Sequence, residues 1–328
     1  MKTALIGCGA ISGAHLRGLS AVDTTVAALC DIDAGKAEKR KAEFGLSSTV
    51  YTDWREMIDR ECPDVVHVCT PHYLHVPMSV YALSRGINVL CEKPMAISAE
   101  GLDEIAAAVR TSGARFGVCQ QNRFEPNMKK LKEIVMNEGF DAAFASVVWK
   151  RDADYYAGGD WRGRRETEGG GVLINQALHT LDLMQWIFGM PEYVTANVSN
   201  DHLKGVIDVE DTAEAVFELP DGRKFNFFAT TSCCADLPIQ IRAKLPDKRV
   251  INAETKLLTL GDEIIKTETV AATEKKAVWG GCHRLLVADF YDCLKTGRRF
   301  AVDQDEAAKV VRMILSVYAS QGERIKLI

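Results

Sequence analysis

No stretch constrains the fold of this chain more than Lys2 to Asp31. An apolar run, Ala4-Leu5-Ile6, leads into Gly7-Cys8-Gly9-Ala10-Ile11-Ser12, and a helical pattern, a second apolar run and Asp31 follow. The order is strand, tight turn, helix, strand. Gly7 can take the positive φ that a sharp strand-to-helix turn requires, and Gly9, lacking a Cβ, lets a diphosphate approach the backbone. The phosphates then meet the unpaired N–H groups and the dipole of a helix N-terminus. An acidic residue at the separation of Asp31 from Gly9 accepts hydrogen bonds from ribose hydroxyls and repels a 2′-phosphate. The stretch therefore predicts NAD rather than NADP, with Gly7, Cys8, Gly9, Ala10 and Ile11 at the phosphate turn and Asp31 and Ile32 at the end of the second strand. Ser12 stands where the third glycine of such a pattern falls, and serine is small enough for close helix-to-strand packing. A glycine turn that binds nothing is the bland alternative; Asp31, arriving in the order the fingerprint demands, weighs against it.

Alternating strand and helix signals continue beyond Asp31, with further short strands expected near Val65, Asn88 and Arg115. Such alternation means a parallel sheet covered by helices on both faces, with ligands at the carboxyl ends of its strands. Those ends carry Thr70-Pro71-His72-Tyr73-Leu74-His75, Glu92-Lys93-Pro94 and Gln120-Gln121-Asn122-Arg123. His72 and His75 read as cofactor-loop or surface histidines, because no further Cys or His cluster completes a zinc site. No metal is expected.

After about Asn137 the pattern changes to strand-rich segments with turn signals such as Asp221-Gly222. The chain thus reads as an α/β protein with an N-terminal Rossmann dinucleotide-binding domain over residues 1–122. A C-terminal α+β domain with a mostly antiparallel sheet is expected over 123–328, for substrate binding and oligomerisation. At 328 residues two domains are also the prior from size. The closing helices, His283 to Lys295 and Asp303 to Ser320, are expected to pack back toward the domain junction. Gly169-Gly170-Gly171 opens what reads as one long helix to Phe188, on which Asn175, His179 and Asp182 share a face. By itself that pattern is equally a core histidine satisfied by Asp182.

Charge and composition exclude other classes. A net charge of −5 gives no basic footprint for nucleic acid or an anionic membrane. No apolar run approaches the roughly 18 residues of a membrane span. The start at Met1-Lys2-Thr3 shows no leader, so a cytoplasmic protein is expected. Ten cysteines without Cys-x-x-Cys spacing read as thiols in a reducing compartment.

At this point the chain resembles the family of glucose-fructose oxidoreductase and inositol dehydrogenase, often called Gfo/Idh/MocA. The resemblance rests on Gly7-Cys8-Gly9, Thr70-Pro71, Glu92-Lys93-Pro94, Trp161-Arg162, and Gly169-Gly170-Gly171 leading to His179-Thr180-Leu181-Asp182, in the family's order. It implies that Lys93 and His179 are catalytic. It further implies that Thr70, Pro71 and Glu92 contact the cofactor and that Trp161 and Arg162 lie by nicotinamide or substrate. His75, Lys93 and Gln121, at the strand ends, are also expected on the cofactor, and Asn175, Arg123 and His283 on the substrate. One position departs from the pattern: many members carry Asp four residues before the histidine, and this chain has Asn175. An amide can position a hydroxyl but cannot take its proton, which leaves His179 or Lys93 as base. Members with Asn there often handle nucleotide sugars and glycosides.

The expected activity is NAD-dependent oxidation of a ring hydroxyl of a sugar, glycoside or nucleotide sugar to a ketone, or the reverse, by a homodimer or homotetramer. Two competitors remain: a glycoside-cleaving enzyme that oxidises transiently and then eliminates, and a dinucleotide-binding sensor without turnover.

Overall fold

The computed structural model describes residues 1–159, 161–254, 256–268 and 282–328. The chain divides into two units, Met1–Gln121 with Ala271–Ala308, and Asn122–Val270 with Lys309–Ile328.

The first unit opens with β1 (Lys2–Ile6), α1 (Ser12–Leu19), β2 (Thr25–Cys30), α2 (Ala34–Glu43), β3 (Thr49–Tyr51) and α3 (Trp54–Glu61). It continues with β4 (Val65–Val68), α4 (His75–Leu83), β5 (Asn88–Cys91), α5 (Ala99–Ser112) and β6 (Phe116–Val118). The strands form a six-stranded sheet in the order β3-β2-β1-β4-β5-β6, parallel throughout. The order reverses between β1 and β4, the position at which an open α/β sheet leaves a crevice at its carboxyl edge. Strands β1, β4 and β5 are almost wholly buried, as a sheet covered on both faces requires. Asp53 caps α3 through the N–H groups of Arg55 and Glu56. Neither α3 nor β3 was among the elements read from the sequence.

In the second unit come α6 (Pro126–Glu138), β7 (Ala142–Val148), α7 (Ala153–Ala157), α8 (Arg165–Glu168), α9 (Val172–Asn175), α10 (Leu178–Phe188), β8 (Tyr193–Ser199) and β9 (Thr212–Glu218). Next are β10 (Lys224–Thr230), β11 (Gln240–Lys244), β12 (Val250–Ala253), β13 (Leu258–Leu260) and β14 (Glu263–Ile264). Helices α11 (Cys282–Thr296) and α12 (Gln304–Ser320) and strand β15 (Ile325–Lys326) close the chain. The strands of the second unit make a nine-stranded sheet, β14-β13-β12-β11-β7-β10-β9-β8-β15, in which only the β7–β10 pairing is parallel. Alternation sorts its faces: Ala143, Ala145, Val147, Phe217, Phe225 and Phe227 are buried, whereas Phe144 and Val216 on the other face stay 38 % and 39 % exposed. The rings of Phe217 and Phe225 stack 5.0 Å apart at the heart of the buried face.

Two expectations change. Helix α11, expected in the second domain, belongs to the first unit: it packs on α1, and its buried Tyr291 hydroxyl meets the Thr3 hydroxyl of β1 at 2.6 Å. The division between the units falls inside α12, after Ala308. The long helix expected after the glycine run is two helices. The Val172 carbonyl accepts from the N–H of both Gln176 and Ala177, a wider turn that ends α9 before α10 begins. Asn175 and His179 therefore do not stand one turn apart on a single helix.

Candidate active site

The first unit builds its candidate site at the carboxyl ends of β1, β2, β4 and β5. Gly7 has φ +91°, and a Cβ on it would lie 2.5 Å from the Cys69 carbonyl oxygen, so the turn after β1 admits no other residue without rearrangement. A Cβ on Gly9 would meet nothing within 4 Å; the turn opens there onto free space. Asp31 closes the turn from β2: its Oδ2 accepts the Cys8 N–H at 2.8 Å and its Oδ1 the Asp33 N–H at 2.9 Å. Each oxygen keeps a further lone pair for a ribose hydroxyl. Ile32 beside it is 92 % exposed, an apolar surface suited to a planar base. Ser12, fully buried, donates to the Gly9 carbonyl at 2.6 Å. Arg40 of α2 reaches the same turn, with Nη2 2.8 Å from the Gly9 carbonyl oxygen and Nε 3.0 Å from Ser12 Oγ. Sequence reasoning missed Arg40, because nothing in a solvated helical charge pattern says that one arginine points inward. These residues fit an adenosine diphosphate.

The strand-end loops are fastened to one another by His75. Its Nδ1 is 2.6 Å from the Pro94 carbonyl oxygen and its Nε2 2.8 Å from that of Thr70, and the ring is fully buried. Burial holds its pKa below the usual imidazole range against the pull of both carbonyls. The ring thus clasps the Thr70-Pro71 and Lys93-Pro94 loops together. Thr70, Pro71 and Lys93 are half-buried on these loops, while Gln121 is buried.

Glu92 is only 6 % exposed. Its Oε1 lies 3.0 Å from His15 Nε2 and 3.4 Å from His283 Nε2, and its Oε2 accepts the Lys93 N–H at 3.2 Å. Burial pushes this carboxyl up, but the two histidines outweigh burial and hold it well below the usual carboxylate range. Glu92 and His283, expected on cofactor and substrate, are therefore partners of each other. A buried carboxylate must find such compensation.

In the second unit, Glu168 is the group that sequence reasoning missed. It is buried at 1 % exposure, accepts the Gly163 N–H and accepts the Asn175 side-chain amide. Asn175 and Gln176 both also reach the Tyr155 hydroxyl, at 3.5 Å. The signal available was an acidic residue directly before Gly169-Gly170-Gly171. The glycines let the chain pass closely here: a Cβ on Gly171 would lie 1.9 Å from the Glu210 carbonyl oxygen. His179 is half-buried in the first turn of α10. The Arg162 guanidinium lies 4.4 Å over the Trp161 ring and 5.4 Å from that of Tyr155, and among the described residues its Nε has no hydrogen-bond partner.

Arg123, expected on substrate, forms a buried two-pronged ion pair with Asp182, whose Oδ2 accepts from Nε at 2.6 Å; Gln185 also donates to Asp182, at 3.2 Å. Asp182 is thereby a buried partner of Arg123.

Residues 1–120 match the family model described as oxidoreductase family, NAD-binding Rossmann fold, and residues 141–244 match the model of the GFO/IDH/MocA C-terminal domain. Two curated relatives are similar. D-glucoside 3-dehydrogenase of Escherichia coli K12 is 27 % identical over 60 % of this chain and 56 % of its own length. Inositol 2-dehydrogenase of Ralstonia nicotianae is 30 % identical over 60 % and 57 %. The matched part thus spans little more than half the length of these relatives. Among solved structures, the WlbA dehydrogenase of Bordetella pertussis in complex with NADH and UDP-GlcNAcA superposes with a TM-score of 0.87 at 24 % identity, covering 100 % of this chain and 98 % of that one. That likeness shows the fold.

The contact of Asn175 with buried Glu168 makes the Asn175→Asp variant a test of this geometry. Two carboxyls in contact cannot both ionise cheaply, so one retains a proton with a raised pKa. A raised acid stabilises fully below the unfolded value of about 4 and loses that contribution as pH rises through its folded value. The variant's stability deficit against the unmodified protein should therefore be smallest near pH 4 and grow toward pH 8, read by urea unfolding across that range. A deficit independent of pH would contradict the contact.

Proposed function

The chain belongs to the GFO/IDH/MocA oxidoreductase family, and from that premise we propose that it is an NAD-dependent dehydrogenase oxidising a ring hydroxyl of a sugar, glycoside or nucleotide sugar, or running the reverse reduction. The observation that carries the reading is Lys93, a half-buried lysine at the carboxyl end of β5 whose backbone is anchored by a buried carboxylate in the same unit as the Gly7 turn and Asp31. Support for a carbohydrate substrate comes from the relatives, whose names specify a glucoside and inositol, and from the nucleotide sugar bound to the structural neighbour.

The bound dinucleotide would supply the hydride acceptor. The chain's own residues do the rest. The glycine turn and Asp31 bind diphosphate and ribose. Lys93 supplies positive charge for the developing alkoxide, and His179 takes the hydroxyl proton, a task for which imidazole is suited near neutrality. Asn175, its amide tied to Glu168, orients a substrate hydroxyl without titrating. Arg162, stacked on Trp161 and Tyr155, binds a polar group of the substrate. Self-association is proposed through the open face of the nine-stranded sheet, where Phe144 and Val216 are exposed.

A panel of sugars and nucleotide sugars incubated with NAD, with NADH absorbance followed, tests the reading: at least one should reduce NAD. On that substrate His179→Ala should lower kcat/KM on the order of 10² to 10⁴-fold and remove the pH limb near neutrality. Lys93→Met should cost at least as much while leaving NAD affinity nearly unchanged, since the charge acts in the transition state. Near-normal turnover in both variants would show that the proton goes elsewhere.

NAD should give a higher kcat/KM than NADP, because Asp31 meets a 2′-phosphate with like charge. The Asp31→Ser variant should narrow the gap, the more so because Arg40 lies against the same turn. Equal use of both cofactors by the unmodified protein would refute the role given to Asp31. Sedimentation at micromolar concentration should give more than one chain per particle, and a monomer mass would remove the proposed sheet contact.

A further inference from the structure

One buried chain of side chains in the first unit lies outside the roles assigned so far. Thr24 has a single hydroxyl proton, which it donates to the Met1 carbonyl at 2.8 Å. Its contact with the Thr3 hydroxyl, also 2.8 Å, must then be donated by Thr3. Thr3, its proton committed, accepts from the Tyr291 hydroxyl at 2.6 Å. Tyr291 in turn accepts from His67 Nε2–H at 3.1 Å. A neutral His67 is left with a lone pair on Nδ1, which faces His15 Nδ1 at 2.8 Å, so the proton there belongs to His15. The other nitrogen of His15 faces Glu92 Oε1 at 3.0 Å, and that contact needs a second proton. One carbonyl at the edge of the sheet thus fixes the direction of every bond in the chain. An extra proton is left between His15 and Glu92.

We propose that His15 is a positioning residue for Lys93: it stands as an imidazolium at the end of this oriented chain and holds Glu92 as the carboxylate that accepts the Lys93 N–H. The functional half rests on Lys93 being the catalytic cation; the protonation half does not. His15, His67 and Thr3 are fully buried, and Tyr291 and His283 nearly so, which shields the pair from solvent exchange. The titratable groups facing His15 are His67 from β4, Glu92 beyond β5, Cys119 beyond β6 with Sγ 3.6 Å from Nε2, and His283 from α11 with its ring 6.1 Å away. Two directions agree with this assignment. Glu92 is held well below the usual carboxylate range, and His67 well below the usual imidazole range, first by burial and then by the charge of His15. In a low-dielectric interior an imidazolium–carboxylate contact of this length fixes both groups.

The decisive variant is Tyr291→Phe, which keeps the ring and removes one oxygen remote from Glu92. His67 then loses its acceptor, can move its proton to Nδ1 and donate it to His15. His15 then needs only the proton it gives to Glu92. Long-range ¹H–¹⁵N correlation spectra of the full chain labelled with ¹⁵N-histidine, taken near pH 8, read this out. The unmodified protein should show one histidine protonated on both nitrogens, absent in His15→Gln, beside a neutral Nε2–H His67. In Tyr291→Phe the doubly protonated signal should disappear and His67 should become the Nδ1–H tautomer. A singly protonated His15 in the unmodified protein would overturn the proposal. The positioning half is read from Lys93 itself: its backbone amide should exchange with solvent at least about tenfold faster in His15→Gln. On a turned-over substrate, kcat should fall with KM for NAD unchanged. Unaltered Lys93 amide exchange would overturn that half. If no substrate is turned over by the unmodified protein, the dehydrogenase reading fails while both spectroscopic readings still decide the proposal.

Discussion

A carboxylate buried at the end of β5 has to be neutralised from within, and much of the first unit is arranged around that need. Glu92 receives His15 from α1 and the ring of His283 from α11, so the helix that arrives late in the chain meets the carboxylate at the strand end as well as the apolar side chains of α1. Removing one partner of a buried charged pair typically costs about 3–5 kcal/mol, because the other is left uncompensated. The same constraint operates separately in the second unit, where Arg123 and Asp182 enclose each other at 4 % and 1 % exposure. Buried charge of this kind adds little net stability but allows few alternative arrangements. Here those arrangements set the backbone next to Lys93 and the first turns of α10.

The dinucleotide turn was legible because its causes are local. Gly7 is required by a positive φ and by the Cys69 carbonyl against it, and Asp31 follows at a separation that one helix and one strand impose. The alternating sheet of the first unit and the mostly antiparallel sheet of the second were legible for the same reason, through period and turn chemistry.

What escaped the sequence depends on partners far along the chain. The apolar stripe of α11 says that it is covered, not by which sheet. The apolar pattern from Leu173 to Ile187 runs unbroken across the turn at Gln176, so periodicity alone read one helix where there are two. Arg123 looks like a ligand-facing cation until Asp182 is placed beside it, and Glu168 looks like a loop acid until the Asn175 amide is found on it. The exchange of an expected aspartate for Asn175 thus leaves a carboxylate near that place, supplied from the segment before the glycines.

The chemistry proposed for the chain asks the folded protein mainly for fixed polar groups: strand-end loops clasped by His75, a lysine held at its backbone by Glu92, and an amide held by Glu168. Such preorganisation is what lets a charge act on a transition state without first reorienting. The central claim is that this arrangement serves hydride transfer from a ring carbon to NAD. Incubation of the protein with NAD and C-deuterated sugars or nucleotide sugars, followed by mass spectrometry of the cofactor, tests it most directly: the account predicts that deuterium from the oxidised carbon appears on the nicotinamide ring of the NADH formed. Conversion of a substrate without deuterium entering the cofactor, or an unlabelled NAD pool in the presence of every sugar tried, would contradict it.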